Sequence, residues 1–429
     1  MAIDEQNPDS DTLADERARN AISIVQRGNL KTLEKTLRRQ WRLGQNIVLC
    51  WSADERGLLV IFVPHYFLGN YCASGEEVCN ANEAFIRELI SGYRRKTRDE
   101  LFEVCDRLEV APTFIKLSTA LAEEERVLEA VEQLVRRYGL SYVQSRAVLL
   151  FDIVEFSLFT PFEQASQLNS LSYSLNSAYN KLLARGIEIN FARTTTGDGY
   201  YIWNRDLGPD ANRDLFYFML LVVADNAVAR AASHGNTVPV IRTGYHIDGH
   251  YELYQAEGVN PTVFSYIVGD VTIELARMLA EAAPDQVLIG DFLAEPHEGA
   301  IAGKNLRTDA FVNVCDRGLQ ALVGTQLSGK SIGAISCHLS AQEGASQDEP
   351  ALIRIIDKHG LSHHAYNLQL EIDLDGRQLS LGLDSAPQET EASCETTVPV
   401  QQSPTASSQD MIDDLASLLQ KRRNTGSTD

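Results

Sequence analysis

The sequence lacks three things: a Cys-x-x-Cys pair, a block of lysine or arginine, and an apolar run long enough to span a bilayer. Seven cysteines (50, 72, 79, 105, 315, 337 and 394) are scattered along the chain. An odd number without zinc-ligand spacing reads as reduced thiols in a cytoplasmic protein. Lys and Arg total 38 against 59 Asp and Glu, a net charge of -21. That balance excludes a nucleic-acid polymer as partner, because such binding rests on basic side chains that release counterions. A small nucleotide stays open, since a divalent metal neutralises its phosphates locally. The apolar runs "LLVIFV" (58–63) and "LFYFMLLVVA" (215–224) stop at Pro64 and Asp225. Both fall short of the roughly 20 residues of a membrane span, so no membrane partner is expected. The first twenty residues are acidic and polar, unlike a signal peptide.

What is present suits a globular protein of two or three domains: 429 residues, 44% hydrophobic and 23% charged. Residues 1–20 read as disordered. Residues 21–140 read as an N-terminal module with no assignable role. It has a basic helix over 21–43, two strands in "IVLCWSADERGLLVIFV", and a helix in "EEERVLEAVEQLVRRYG" whose apolar face carries Val127, Val131 and Leu134. Residues 295–384 read as a strand-rich region with a regulatory role, and end in a hairpin at Asp375-Gly376. From 385 to 429 the Ser, Thr, Gln, Glu and Pro content cannot build a core. Within that disordered tail, a short amphipathic helix is expected over 411–422.

The clearest pattern lies in 146–293. "RAVLLFDI" reads as a buried strand. "TPFE" (160–163) has the form of a capping box with proline at the first helical position. The hairpin "RTTTGDGYYIW" (193–203) follows, then a helix near 212–233 and the strand "VIRTGYHI". Asp248-Gly249 offers a turn into "HYELYQ", and after it come the helix "DVTIELARMLAEA" and the strand "QVLIG". The order β-α-ββ-α-ββ-α-β predicts an α+β fold with a largely antiparallel sheet and helices over one face.

Two aspartates stand out. Asp152 ends the buried strand, and Asp198 sits at the tip of the hairpin. Each alone is ordinary turn chemistry. If the hairpin pairs beside strand 147–151, both carboxylates reach one spot. There they repel unless a metal bridges them, and two carboxylates with further oxygen ligands suit Mg²⁺ or Mn²⁺.

The stretches "LLFDIVEFS", "TTGDGYYIW", "IRTGYHIDG" and "YIVGDVTIELARMLAEAAPDQVLIGD" resemble, in order and spacing, the class III nucleotidyl cyclases. The match covers 146–293. It implies cyclisation of a nucleoside triphosphate to a 3′,5′-cyclic monophosphate with release of diphosphate. It also implies a head-to-tail homodimer with its active sites at the interface. Asp152 and Asp198 match the family's two metal-binding aspartates, and the carbonyl of Ile153 a further ligand. The amides around Phe156 and Ser157 match its phosphate contacts, and Arg277 its transition-state arginine. The cofactors implied are two divalent ions, Mn²⁺ in preference to Mg²⁺.

Three positions depart from the family. Thr194 stands where purine cyclases keep a base-reading lysine, Tyr266 at the partner position, and Ile273 where an asparagine orients the ribose. A relative that had lost activity would have no reason to keep both aspartates and the arginine, so a changed base is the simpler account. Bulk at Tyr266 suits a smaller ring. This pattern resembles the pyrimidine cyclases of bacterial Pycsar anti-phage systems, whose cyclic UMP or cyclic CMP activates a separate downstream effector. UTP is preferred to CTP because tyrosine and threonine offer both donor and acceptor. CTP, a purine triphosphate, and a nucleotide-sensing module without turnover remain as alternatives.

Two other signals compete. "GTQLSGKS" (324–331) fits a P-loop pattern, yet the β-branched residues that follow favour a strand over the helix a P-loop needs. Lys330 and Lys304 are candidates for a triphosphate-binding lysine, and neither sits in a convincing match. "DKHGLSHH" gathers His359, His363 and His364 without an obvious fourth ligand, and reads as a solvated loop between strands.

Overall fold

The computed structural model describes residues 22–73, 76–206, 208, 210–256, 263–295, 305–341, 350–357 and 359–382. The segments 1–20 and 385–429, the helix expected over 411–422, and Lys304 lie outside the described residues.

The N-terminal part begins with helix α1 (Ile24–Trp41), capped by Ser23, whose hydroxyl accepts the Gln26 amide. Strands β1 (Asn46–Asp54) and β2 (Gly57–Pro64) pair antiparallel across a short polar turn, the two strands the sequence predicts. Helices α2 (Phe67–Cys72), α3 (Glu76–Ile90) and α4 (Arg98–Leu108), strand β3 (Thr113–Lys116) and helix α5 (Glu125–Arg136) complete it. Leu33 and Leu37 of α1 and Val127, Val131 and Val135 of α5 bury against Trp51 and Val60.

A buried polar knot ties this part to the next strand. Arg94, with no exposed surface, donates to the carbonyls of Val48 and Leu140 and to the Ser141 hydroxyl. Burial pulls its pKa down to about 10, against the opposing pull of Glu132. Glu132 in turn accepts from the Arg94 amide (2.8 Å), the Trp51 indole (2.9 Å) and Arg136 (3.1 Å). Removing one partner from such a knot leaves charge buried without compensation. Glu132→Ala is therefore expected to cost about 3–5 kcal/mol, read as a lowered urea midpoint.

Strand β4 (Leu140–Ile153) enters the main sheet. It is followed by α6 (Pro161–Ala184), β5 (Phe191–Thr195), β6 (Gly199–Asn204), α7 (Ala211–Ala232), β7 (Ile241–Ala256), β8 (Val263–Val268), α8 (Asp270–Ala280) and β9 (Val287–Gly290). The α+β order matches the predicted pattern, but the helices cover both faces of the sheet rather than one, and the second strand of the later pair is β8 rather than "HYELYQ". The TPFE capping box forms at Thr160 and Glu163 with Pro161 at the first turn. Alternation along β4 sorts its residues: Ala147, Leu149 and Phe151 face a core shared with α6 and α7, while Val148 and Leu150 face one shared with α8. Helix α7 is long and apolar enough to cross a membrane by length and composition. In this fold, however, its residues from Leu215 to Asn226 are buried.

One expectation is corrected. Asp248-Gly249 makes no hairpin turn; β7 runs unbroken through it for 16 residues. The irregularity falls on the opposing strand, where the β4 register shifts between Val143 and Arg146. A bulge absorbs the extra residue, so the Asp-Gly pair has no chain reversal to make.

Beyond β9 come β10 (Leu293–Ala294), β11 (Leu306–Arg307), α9 (Thr308–Gly318), β12 (Gln326–Leu327), β13 (Lys330–Leu339), β14 (Leu352–Ile356), β15 (Ser362–Leu374) and β16 (Arg377–Leu381). Strand β15 pairs β9, giving an 11-stranded sheet with the path β12-β13-β15-β9-β7-β4-β6-β5; β14 and β16 pair β15, and β8 pairs β7. Helix α9 lies inside the stretch expected to be strand-rich, where Phe311, Val312 and Cys315 bury against α7 and the sheet. "GTQLSGKS" is the β12–β13 hairpin, turning at Ser328 and Gly329, and opens no helix at Lys330, in keeping with the case against a P-loop.

Candidate active site

The site is built where β4, β6 and β7 end side by side. Gly199 stands opposite Asp152 in the β4–β6 ladder, so close that a Cβ would lie 1.9 Å from the Phe151 carbonyl oxygen. Only glycine admits that approach. The turn before it is closed by Gly197 at φ +104°, whose amide donates to the Thr195 hydroxyl. Together the two glycines press the hairpin tip onto β4, where the Ile153 amide donates to the Asp198 carbonyl at 3.0 Å. Asp152 and Asp198 are thereby brought together. The Thr196 hydroxyl donates to the Asp198 carboxylate at 3.0 Å.

Asp152 is half-buried, and Arg242, its β7 partner in register, donates to its Oδ2 from Nε (2.9 Å) and Nη2. Burial raises the Asp152 pKa above the ordinary carboxylate value; Arg242 opposes the rise and the Asp198 charge adds to it. Two acids held together where one already resists ionisation form a site that a hard cation would relieve. No group of three or more His, Cys, Asp or Glu suited to a metal occurs among the described residues. The side-chain donors brought together here are therefore two carboxylates. That incomplete all-oxygen set fits Mg²⁺ or Mn²⁺, which complete their shells with water and substrate phosphates.

After Ile153 the chain turns through Glu155, in the left-handed region at φ 54°, into a short 3₁₀ turn (Phe156–Leu158). The Phe156 ring packs on the core, while Ser157 is exposed. Among the described residues the amides of Glu155, Phe156 and Ser157 have no acceptor. Such a run of unpaired N–H groups suits an anion. Thr194 pairs with Tyr201 in the β5–β6 ladder, two residues on from Ala192, which lies in the α8-side core. It shares the sheet face of Asp152.

The other expected residues lie apart. Tyr266 pairs with Leu253 on β8 and alternates with Ser265 and Ile267; Ile267 is buried on the α8 side. The Tyr266 ring, 37% exposed, thus stands on the opposite face from Thr194. Ile273 is exposed on α8. Arg277, in the last turn of α8, forms an ion pair with Asp357 (3.2 Å) rather than reaching the aspartates.

His363 corrects the solvated-loop expectation: it lies within β15, is 5% exposed, and places Nδ1 2.8 Å from Glu274. His359 and His364 are exposed. Sequence reasoning assigned nothing to Arg242 or Asp357. The signal for Arg242 was available as a lone arginine between Ile241 and Thr243 in an interior strand, which needs a buried partner. Asp357 gave no such signal, because its partner lies 80 positions away.

No family model matches the chain, and no curated protein matches it. Among solved structures it is similar to the guanylate cyclase domain of RhGC from Catenaria anguillulae in complex with GTP, at 15% identity and a TM-score of 0.33, covering 53% of this chain and 97% of that one. It is also similar to the non-canonical dimeric guanylyl cyclase domain of the RhoGC fusion protein from Blastocladiella emersonii, at 12% identity and a TM-score of 0.32, covering 53% and 97%. The adenylyl cyclase CyaB from P. aeruginosa gives 12% identity and a TM-score of 0.31, covering 53% and 95%.

Proposed function

We propose that this protein is a nucleotidyl cyclase that converts UTP to 3′,5′-cyclic UMP and diphosphate. The observation that carries the reading is the convergence of Asp152 and Asp198 at adjoining strand ends, with Asp152 ionising reluctantly beside a second acid. Asp152, Asp198 and the Ile153 carbonyl would hold divalent cations, Mn²⁺ by preference. Those ions, when bound, would make the ribose 3′-hydroxyl more acidic and neutralise the triphosphate.

The chain's own groups supply the rest. Amides at Glu155, Phe156 and Ser157 would donate to phosphate oxygens, and Arg242, released from Asp152, would add a second cation to the same face. Arg277 would meet the charge that builds on the α-phosphate as the O3′–P bond forms and the bond to diphosphate breaks, with the hydroxyl proton passing to solvent. Thr194 and Tyr266 would read the base, and their departure from the purine pattern supports a pyrimidine. Because Tyr266 and Arg277 do not meet the aspartates within one chain, a head-to-tail homodimer would join the two half-sites. By the same resemblance, the product would act on a separate effector in bacterial antiviral defence.

The test is direct. Purified protein is incubated with each of the four ribonucleoside triphosphates and Mn²⁺, and the products are identified by mass spectrometry. Cyclic UMP is expected to dominate. Dominant cyclic CMP or cyclic AMP would overturn the base assignment, and absence of any cyclic product would overturn the activity.

A further inference from the structure

We infer that Asp357, backed by His363 and Glu274, is a positioning residue for Arg277, fixing one edge of its guanidinium and leaving the other edge for substrate. The inference rests on the reading of Arg277 given above.

Asp357 follows β14 and is nearly buried, its side chain 4% exposed. Its Oδ1 accepts the amides of His359 (2.8 Å) and Leu361 (3.0 Å), and its own amide and carbonyl close the same turn with Leu361 and Gly360. The carboxylate therefore has little freedom to rotate. Its Oδ2 points at α8, 3.2 Å from Arg277 Nε and 3.5 Å from His363 Nε2. Burial opposes its ionisation, but the Leu361 and His359 amides, His363 and Arg277 together hold it below the ordinary carboxylate range. It is thus ionised near neutrality. His363, itself buried, reaches back with Nδ1 to Glu274 at 2.8 Å. Glu274 lies three residues before Arg277 on the same helix, so the chain of contacts begins and ends on α8.

Arg277 meets Asp357 through Nε at 3.2 Å. The Arg277 side chain stays 31% exposed, so the guanidinium is reachable from outside. A free arginine side chain samples many rotamers; anchoring Nε removes most of them and presents a planar fork suited to phosphate oxygens. Preset orientation of this kind acts on the transition state more than on substrate binding.

The bland alternative is a staple that merely holds the β14–β15 turn against α8, and kinetics separate the two. Full-length Asp357→Asn, His363→Gln, Arg277→Ala and the double variant Asp357→Asn/Arg277→Ala are assayed with the triphosphate that the wild type cyclises. Asp357→Asn is expected to lower kcat by roughly tenfold to a hundredfold with KM little changed. His363→Gln should shift kcat in the same direction by less, and it serves if Asp357→Asn does not fold. The double variant should be no slower than Arg277→Ala alone, because a positioning residue has nothing to do once its arginine is gone. Full kcat in Asp357→Asn, or a loss that multiplies with that of Arg277→Ala, would overturn the inference while leaving the cyclase reading intact. A wild type that makes no cyclic nucleotide would overturn both.

Discussion

Asp152→Ala and Asp198→Asn are each expected to lower cyclic-nucleotide formation on the order of a thousandfold or more, with the metal-free proteins remaining folded. The reason lies in how the wild-type pair is arranged. Burial and the neighbouring Asp198 charge already oppose ionisation of Asp152, so the metal-free site holds repulsion that a cation relieves. Thermal unfolding with and without Mn²⁺ provides a readout independent of activity. At a hundred times its dissociation constant, an ion stabilises the wild type by about 2.7 kcal/mol, and both variants should lose most of that gain. If either variant kept the Mn²⁺-dependent shift together with its activity, the assignment of the site would fail.

The pH dependence follows from the same carboxylate. A raised folded-state pKa means that the folded protein holds the Asp152 proton more tightly than the unfolded chain does. In the metal-free protein this contributes stability at acid pH that is lost as pH rises through the folded pKa. A cation needs the deprotonated form and reverses the sign. The Mn²⁺-dependent stabilisation should therefore grow with pH, and fade on acidification at a higher pH than an ordinary carboxylate would give. Asp198→Asn removes the like charge and should move the acid limb of any residual binding to lower pH.

A mixture of two inactive variants, Asp152→Ala and Arg277→Ala, should recover activity. In a two-fold dimer with one half-site from each chain, random mixing yields half heterodimers, each with one intact site, or about a quarter of wild-type turnover. The fold itself suggests this division. Arg277 is engaged by Asp357, and Tyr266 lies across the sheet from Thr194. Leu158, Phe162, Val268 and Ile273 are all more than half exposed near these elements. Recovery that rises with protein concentration would confirm a site shared between chains. A mixture as inactive as its components, under conditions where the wild type is dimeric, would place the whole site within one chain.

Much of this site is legible in the sequence because it depends on local signals. An unbroken run of buried residues makes β4 and delivers Asp152 near its end. Gly-Asp-Gly can only be a tight turn, and Thr160 with Glu163 starts the next helix. Period and turn chemistry depend on neighbours a few positions apart, so the chain itself states them.

Only the tertiary structure decided what meets across the sheet. Arg242 pairs with Asp152 over 90 positions, and Asp357 finds Arg277 over 80. His363 is buried because β15 joins β9, and β7 stays straight because the strand beside it carries the bulge. Register and non-local ion pairs follow from the packing of whole elements, which no local spacing encodes. The sequence by itself singled out Asp152, Asp198 and Arg277 as candidates; the fold decided that the two aspartates stand together while Arg277 turns to Asp357.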